Sequence, residues 1–562
     1  MAHRLYGSRW HGVAIGLLST FAGLAAAEFI VGLVRGAASP VVPVGQEVID
    51  IVPPAVKDWA IDWFGTADKA VLIIGTLLSL AVVGSIVGNL AVKGNRASAY
   101  AVTAVVGLIG VFAVWMRPAP DFGKMLPPIV GTLVSIAVIW WLAPRDVGPS
   151  VAAVSADADA TGVPVSDRLV PDVAVSAGGV ATTAERPYIG RPVPRRNFLQ
   201  GATTVGLLSV VAGGLGRTLK TRFEVGDERA ALQLPTPADP VAPLSTTPNA
   251  AETALVNSME FGIEGVTPFV VPNSEFYRID TALVVPQVPK DSWRLRVHGM
   301  VDNELEITFA DLLERDMIER YITLSCVSNQ IGGDLVGNAK WQGVLISDVL
   351  NEAGIQEGAT QVVSRSVDGW NCGTPTSAIM DGRDAIFAIA MNGEPLPAEH
   401  GYPVRMVVPG LYGYVSATKW VTDIELTRWE DFNGYWVPRG WSKEGPVKTM
   451  ARIDRPQRGR GYTANEAGVV DIAGLAWAVH RGISRVEVSI DDGEWLECEL
   501  AGVPSDDTWR QWRYQWRDAT PGEHTVRARA YDGDGVPQPS DPKPVAPDGA
   551  QGYHQVRFDV ET

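Results

Sequence analysis

The chain has 562 residues, enough for about three or four domains, and a formal net charge of −16. A hydrophobic fraction of 46% against 20% charged residues is too apolar for an ordinary soluble enzyme. The negative charge gives no electrostatic reason to bind nucleic acid, so we expect no nucleic acid partner. Three cysteines without a Cys-x-x-Cys pair exclude a disulfide scaffold, a thiolate zinc cluster and c-type haem attachment.

The apolar excess lies at the N-terminus. Long uncharged runs predict a four-span α-helical membrane domain over residues 1–146, because each run is close to the ~20 residues that cross a bilayer. The predicted spans are 10–34, 70–92, 97–115 and 126–143. Basic residues flank the first span, the turn between the second and third, and the end of the fourth. The positive-inside rule therefore predicts a cytoplasmic N-terminus and an outward-facing acidic loop over 36–68.

A linker and a fifth apolar segment follow. Residues 147–197 lack helical or strand periodicity and predict a cytoplasmic linker, which ends in Arg195-Arg196-Asn197-Phe198-Leu199. This sequence before a weakly apolar run at 198–216 is typical of a twin-arginine export signal placed internally. The alternative is that the arginines mark the cytoplasmic end of an ordinary fifth span. Both interpretations predict a protein of the bacterial plasma membrane. In both, the linker at 217–250 and all later residues lie outside the cytoplasm.

The membrane segments themselves offer little chemistry. No histidine falls within the second to fifth predicted spans, so we expect no b-type haem in this chain. Glu28 is the one carboxylate well inside a predicted span and is a candidate functional site by default. Because it lies near the outer end of its helix, we favour an anchoring role for this region.

Two domains are predicted after the spans. Short β-branched runs with helical patches at 308–319 and 346–354 predict an α+β domain over 251–455. Residues 456–562 predict an immunoglobulin-like β-sandwich, because short strands alternate with turns such as Asp491-Asp492-Gly493. The strand candidates are 469–477, 483–490, 512–516, 524–531 and 553–558.

Two segments of the α+β domain suggest chemistry. Cys326 ends a β run and begins a loop with Asn329 and two glycines, although a cysteine taken alone is more often buried and inert. The second segment brings His400, Arg405 and Lys419 into loops rich in proline and glycine. Those side chains are the donors that an anionic, phosphate-bearing cofactor requires.

These segments, over about 255–560, resemble the sulfite oxidase superfamily of molybdopterin oxidoreductases. The resemblance implies a molybdenum-molybdopterin cofactor, two-electron oxygen-atom transfer, and Cys326 as the molybdenum ligand. It also implies that the sandwich is a dimerisation domain, with a homodimer as a further expectation. Tyr435 and Asp368 are additional catalytic candidates. The implied cofactor-binding residues are Asn273, Tyr277, Arg278, Asn329, Ser366, His400, Arg405, Thr418 and Lys419.

The chain departs from the family pattern at two positions. Relatives that oxidise sulfite carry an arginine where this chain has Gln330 and Ile331, and a tyrosine where it has Phe432. A dianion would lack a partner to offset its desolvation, so we expect a less charged substrate such as a sulfoxide or an N-oxide. Trp436 and Trp441, like Tyr435, either line the pocket or pack between domains.

The sequence contains no haem-binding or flavin-binding pattern, so we expect a separate electron-transfer partner. The alternative function is a membrane-anchored, non-catalytic interaction protein that retains the fold. The joint presence of Cys326, His400, Arg405 and Lys419 favours the enzyme, because a binding module needs none of them.

Overall fold

The computed structural model describes residues 9–53, 56, 59, 63–64, 67–118, 120–143, 195–241, 258–464, 468–517 and 519–561. Residues 147–194 of the predicted linker lie outside the described residues. The chain forms two compact units. The first comprises Met1–Val52, Lys57–Met116 and Pro120–Thr221, and the second comprises Pro53–Val56, Arg117–Ala119 and Arg222–Thr562.

The first unit is helical. Five of its described helices are long and apolar enough to cross a membrane, and their composition is compatible with membrane association. A shorter helix, Val41–Ile51, lies in the segment expected to be a loop. The helices are α1 (Arg9–Leu33), α2 (Val41–Ile51), α3 (Asp68–Val92), α4 (Arg96–Trp115), α5 (Phe122–Leu142) and α6 (Arg195–Thr221).

Helix α1 packs against its neighbours through glycines. A Cβ atom at Gly16 would lie 1.9 Å from the Gly84 oxygen of α3, and one at Gly216 of α6 would lie 2.4 Å from the Glu28 oxygen. Large side chains such as Leu78 and Leu108 instead face outward and are exposed. Close backbone contact inside and apolar side chains outside are typical of helices that associate in a bilayer.

The α+β part of the second unit contains two sheets. One has the strand order β2-β1-β10-β5-β6 and the other has β3-β4-β7-β8, with β9 paired to β7. The strands are β1 (Arg294–Gly299), β2 (Leu305–Thr308), β3 (Ile318–Ser325), β4 (Val336–Leu345), β5 (Gln361–Ser366), β6 (Asn371–Pro375), β7 (Ile386–Met391), β8 (Glu394–Pro395), β9 (Arg405–Val407) and β10 (Val421–Thr427).

Short helices connect these strands: α8 (Phe309–Leu313), α9 (Ile346–Ala353) and α10 (Thr376–Met380). Thr308 begins α8 with a capping box, in which its side chain and that of Asp311 each accept a backbone N–H. The helix expected over 308–319 is therefore only partly correct. It ends at Leu313, and Ile318 and Glu319 already pair with β4 as part of β3. The antiparallel ladder overrides the local helical pattern there.

The C-terminal part is a β-sandwich. Its sheets have the orders β11-β13-β17-β16 and β12-β19-β18-β14-β15, and residues of both sheets share one core around the fully buried Trp512 and Phe558. Each of the five strand candidates coincides with an observed strand. The strands are β11 (Met450–Arg455), β12 (Gly461–Thr463), β13 (Val470–Trp477), β14 (Ile483–Ile490), β15 (Trp495–Glu497), β16 (Glu499–Leu500), β17 (Arg510–Trp516), β18 (Gly522–Asp532) and β19 (His554–Glu561).

The segment after α6 is bound to the α+β part. Helix α7 (Gly226–Ala231) places the Glu228 carboxylate 2.8 Å from the Tyr402 hydroxyl, which donates to it. Farther along, the Asp239 oxygen accepts the Glu319 N–H at 3.0 Å, and the Ala238 N–H donates to the Met317 oxygen at 2.8 Å. Residues 238–239 therefore lie along β3, which is an edge strand of its sheet.

Candidate active site

Cys326 lies directly after β3, at the start of a loop that closes on itself. We define the Cys326 loop as residues 326–335. The Cys326 N–H donates to the Leu335 oxygen at 2.9 Å, and the Leu335 N–H donates to the Asn329 side-chain oxygen at 3.0 Å. Cys326 as a residue is partly exposed, and its thiol lies 2.9 Å from the Ser328 hydroxyl. Burial raises the thiol pKa, while the Ser328 bond acts in the opposite direction.

Arg405 begins β9 and is almost completely buried, with 6% of its surface exposed. Its guanidinium donates to the His400 oxygen at 3.2 Å and lies 5.0 Å from the centre of the Trp341 ring. Within the described part of the chain, no carboxylate forms an ion pair with it. Burial lowers the Arg405 pKa to about 10. A buried cation held only by carbonyl oxygens and an aromatic ring is suited to an incoming anion.

Lys419 is also buried but has an acidic partner, Asp280. Its ammonium lies 2.7 Å from the Asp280 carboxylate and donates to the Glu399 oxygen at 3.1 Å. Burial lowers the Lys419 pKa to about 8, although Asp280 opposes that shift. Asp280 pairs with Arg278 as well, at 2.8 Å. Asp280 was not among the residues predicted from the sequence. Its position two residues after Arg278 is the only local sign that it belongs to the site.

His400 and Tyr277 lie on the same side of the site. The His400 Nε2 atom is 3.1 Å from the Asn273 oxygen, and burial, with help from Arg405, lowers its pKa to about 4. The imidazole is therefore neutral at pH 7. Tyr277 is partly buried and stacks on Phe276, and burial together with the nearby Cys326 raises its pKa. The structure thus brings Cys326, Tyr277, His400 and Arg405 into one neighbourhood.

Other predicted residues form hydrogen bonds within the loops around these four residues. The Asn273 amide donates to the Met391 oxygen at 3.2 Å, and the Ser366 hydroxyl accepts the Asp368 N–H at 3.4 Å. Burial raises the Asp368 pKa. Thr418 is fully buried, with its hydroxyl 2.6 Å from that of Ser364 and 3.4 Å from the Cys372 sulfur, so it faces the interior against β5 and β6.

Tyr435 and the neighbouring aromatic residues form a packed group. The Arg439 guanidinium lies 3.7 Å from the centre of the Tyr435 ring and donates to the Tyr435 oxygen at 2.6 Å. Trp436 and Trp441 are partly buried and meet edge to face, with ring centres 6.3 Å apart. Both tryptophans pack against the main core of the second unit. Phe432 lies under the Arg365 guanidinium at 5.6 Å.

A cleft lies beside the Cys326 loop. Its volume is about 300 Å³, and it is lined by Gln330, Ile331, Lys543, Pro544, Val545 and Ala550. The loop supplies one wall and residues 543–550 of the sandwich supply the other. Lys543 is the one charged side chain among these six residues and is exposed.

The donor set fits a molybdenum-pterin group. Cys326 offers one soft sulfur ligand, of the type that a metal held by a dithiolene accepts. Arg405 offers a buried positive charge without a carboxylate among the described residues, which suits the pterin phosphate. Lys419 adds a hydrogen-bond donor beside it, and neutral His400, whose Nε2–H donates to the Asn273 oxygen, offers its Nδ1 atom as an acceptor.

Comparison with known proteins gives the class. Residues 282–436 match the family described as the oxidoreductase molybdopterin binding domain. The chain is 35% identical over 153 residues to the uncharacterized oxidoreductase YuiH of Bacillus subtilis, covering 27% of this chain and 74% of YuiH. It is 28% identical over 351 residues to the mitochondrial sulfite oxidase of Rattus norvegicus, covering 53% of this chain and 63% of the oxidase.

The chain belongs to the sulfite oxidase superfamily of molybdopterin-dependent oxidoreductases. Its cofactor is accordingly molybdenum-molybdopterin. The chain spans less than two thirds of the length of the rat oxidase. Among solved structures, it is similar to the sulfane dehydrogenase SoxCD from Paracoccus pantotrophus, with 22% identity and a TM-score of 0.44, covering 59% of this chain and 96% of the other.

Proposed function

We propose that this protein catalyses two-electron oxygen-atom transfer on a small extracytoplasmic substrate, with Cys326 as the molybdenum ligand. The observation that carries this proposal is the position of the thiol. Cys326 is partly exposed at the start of a loop beside buried cations, whereas Cys372 and Cys498 are buried. In the reducing direction, a sulfoxide takes two electrons and two protons and leaves as a sulfide and water. A separate partner supplies the electrons.

The bound molybdenum centre supplies the oxygen-atom transfer chemistry. The residues of this chain bind and orient the cofactor that carries it. Arg405 and Lys419 attract the pterin phosphate, and neutral His400 positions a ring nitrogen for one hydrogen bond. Burial of these groups excludes water, which strengthens each charge interaction.

We infer the substrate class from the charge of the cleft beside the Cys326 loop. Ile331 is apolar, and the two arginines that could substitute are already engaged, Arg278 with Asp280 and Arg439 with Tyr435. Lys543 remains as the single cation of the cleft lining. One cation does not offset the desolvation of a dianion. We therefore propose a sulfoxide or an N-oxide as the substrate, rather than sulfite.

Steady-state assays with artificial electron carriers test this choice. Each charge-assisted hydrogen bond missing at Ile331 or Phe432 costs sulfite about 1.5–3 kcal/mol, or about ten- to a hundredfold in affinity. We expect sulfoxide or N-oxide reduction to exceed sulfite oxidation. Efficient turnover of sulfite at micromolar concentration would contradict the proposed substrate class.

We further propose that the chain is a multi-pass protein of a bacterial plasma membrane, with the molybdopterin part outside the cytoplasm. The five long apolar helices and the pair Arg195-Arg196 support this topology. In an Arg195→Lys and Arg196→Lys double variant, the charge remains but the paired guanidinium groups are lost. We expect the catalytic part to stay inside, protected from external protease. Digestion in this variant as in wild type would assign α6 as an ordinary fifth span.

The sandwich is proposed to be immunoglobulin-like and to support a homodimer. Its two antiparallel-rich sheets over a shared core support the first statement. The competing function is a non-catalytic anchored interaction protein. Metal analysis of the purified full chain separates the two, because only the enzyme retains molybdenum in proportion to protein.

A further inference from the structure

The sandwich contacts the Cys326 loop at its two glycines. The Arg452 guanidinium, on β11, donates to the Gly333 oxygen at 3.1 Å. His554, on β19, lies so close to Gly332 that a Cβ there would be 2.2 Å from the His554 Nε2 atom. Gly332 has a φ of +74°, which a side chain would disfavour. Two residues about a hundred positions apart in the chain thus meet the same pair of adjacent glycines.

Both sandwich residues are themselves fixed. Arg452 forms a two-point ion pair with Asp454, at 2.6 and 3.2 Å, and also donates to the Thr267 hydroxyl at 2.7 Å. The Arg452 and Asp454 side chains are 8% and 6% exposed. The His554 Nδ1 atom accepts the Ile453 N–H at 3.0 Å. The bond to Gly333 is therefore an addition to a pair that is already complete within β11.

The hydrogen bonds within the loop join its residues only to one another. Cys326 and Asn329 are bonded to Leu335, and the Gly333 N–H donates to the Gln330 oxygen at 2.9 Å. Gly332 and Gly333 have the conformational freedom of adjacent glycines, and a shift of the two would move the adjoining residues, including the thiol at the start of the loop. The contacts from the sandwich fix these two glycines relative to a second domain, which bonds within the loop cannot do.

We propose that Arg452 and His554 are positioning residues, which hold the Cys326 loop so that the thiol has the orientation a bound molybdenum centre requires. The proposal rests on the proposed function for the role of the thiol. It makes the sandwich part of the active site's support and not only an appended domain. Neither residue touches the reacting atoms.

The test uses the cofactor-free full chain and the rate at which a maleimide labels its thiols at constant pH. Cys372 and Cys498 are buried, so labelling of the native protein reports on Cys326. A Cys326→Ser sample supplies the background. Arg452→Lys keeps a charge beside Asp454 but cannot make all of the guanidinium's bonds. We expect it to label about tenfold faster, as loss of one charge-assisted hydrogen bond allows.

Arg510→Lys is the matched control. Arg510 is a partly buried arginine of the same sandwich and donates to the Ala501 and Ile483 oxygens, both within the sandwich. We expect its labelling rate to stay within about twofold of wild type. A folded Arg452→Lys protein that labels no faster than Arg510→Lys would overturn the proposal.

If Arg452→Lys folds poorly, a second variant and a second measurement still test the proposal. His554→Gln keeps an acceptor for the Ile453 N–H but removes the ring edge beside Gly332, and we expect about threefold faster labelling. In the loaded enzyme, Arg452→Lys should lower kcat with little change in KM and should shift the Mo(V) paramagnetic resonance spectrum. Wild-type labelling in His554→Gln, or an unchanged spectrum in loaded Arg452→Lys, would overturn the proposal. Absence of molybdenum from the wild-type protein would instead contradict the proposed function. The labelling rates would still show whether Arg452 and His554 hold the Cys326 loop.

Discussion

Arg405 in the cofactor loops and Arg452 in the sandwich show how one residue type serves two purposes. Both are nearly buried, at 6% and 7% exposure. Arg452 meets a carboxylate, Asp454, on two points, whereas Arg405 meets a backbone oxygen and the face of Trp341. The comparison indicates that the buried charge of the sandwich is neutralised by a carboxylate of the same domain. The loops around Arg405 leave its charge without a carboxylate among the described residues, at a cost to stability that we propose serves binding of the pterin phosphate.

The cysteines extend the comparison and give the largest expected effect. Cys326→Ser should lower turnover by more than the about 10–100-fold typical of residues that only support a metal ligand, because it replaces the ligand that we propose for the metal. Cys498→Ser should leave turnover unchanged and lower the free energy of unfolding by about 1 kcal/mol. Turnover assays and urea melts of both variants check this. Wild-type turnover in Cys326→Ser would remove the thiol from the proposed mechanism.

The two arginines should respond in opposite directions when each is replaced by methionine. Arg452→Met leaves Asp454 buried without its cation and should lower the unfolding free energy by about 3–5 kcal/mol. Arg405→Met removes an uncompensated buried charge, so the cofactor-free protein should be as stable as wild type or about 1 kcal/mol more stable. It should nevertheless retain much less molybdopterin.

Urea melts of the cofactor-free variants and metal analysis of the loaded ones make this measurement. Equal destabilisation by both substitutions would show that Arg405 is as structural as Arg452. Normal cofactor retention in Arg405→Met would show that the phosphate lies elsewhere.

The smallest effect concerns pH and His554. Burial, with a contribution from Arg452, lowers the His554 pKa from 6.5 to about 4. The unfolded chain therefore binds the proton first as the pH falls, so this stabilisation is complete above about pH 6.5 and is lost towards pH 4. His554→Gln should flatten the pH dependence of unfolding by on the order of 1–2 kcal/mol between pH 7 and 4.5. Parallel curves of unfolding free energy against pH for the variant and the wild type would contradict a lowered His554 pKa in the folded protein.

The sequence predicted those parts of the site whose signal is local. Cys326 follows a β run, and His400, Arg405 and Lys419 fall within twenty residues, but the resemblance to the family, and not spacing, joined the thiol to these three. Asp280 was missed because it meets Lys419 only after residues 139 positions apart come together. The support of the Cys326 loop by Arg452 and His554 was invisible for the same reason, since no periodicity records a contact between two domains.

In the fold, too, local features were predicted from the sequence and contacts between distant residues were not. The long apolar helices and the sandwich strands were predicted with ends within a few residues, because uncharged runs mark the helices and turn residues bound the strands. The patch at 308–319 was assigned to one helix, yet Ile318 and Glu319 belong to β3. Pairing with β4 decides their conformation, and a single sequence contains no record of that pairing.

The segment along β3 has a consequence for preparing the enzyme in soluble form. A fragment beginning at residue 251, the predicted domain boundary, lacks both Asp239 and Glu228. The backbone of Glu319 and Met317 then loses its partners, and an uncovered edge strand invites pairing with other chains and aggregation. A fragment beginning at Arg222, where the second unit begins, keeps this cover and also the Glu228 bond to Tyr402.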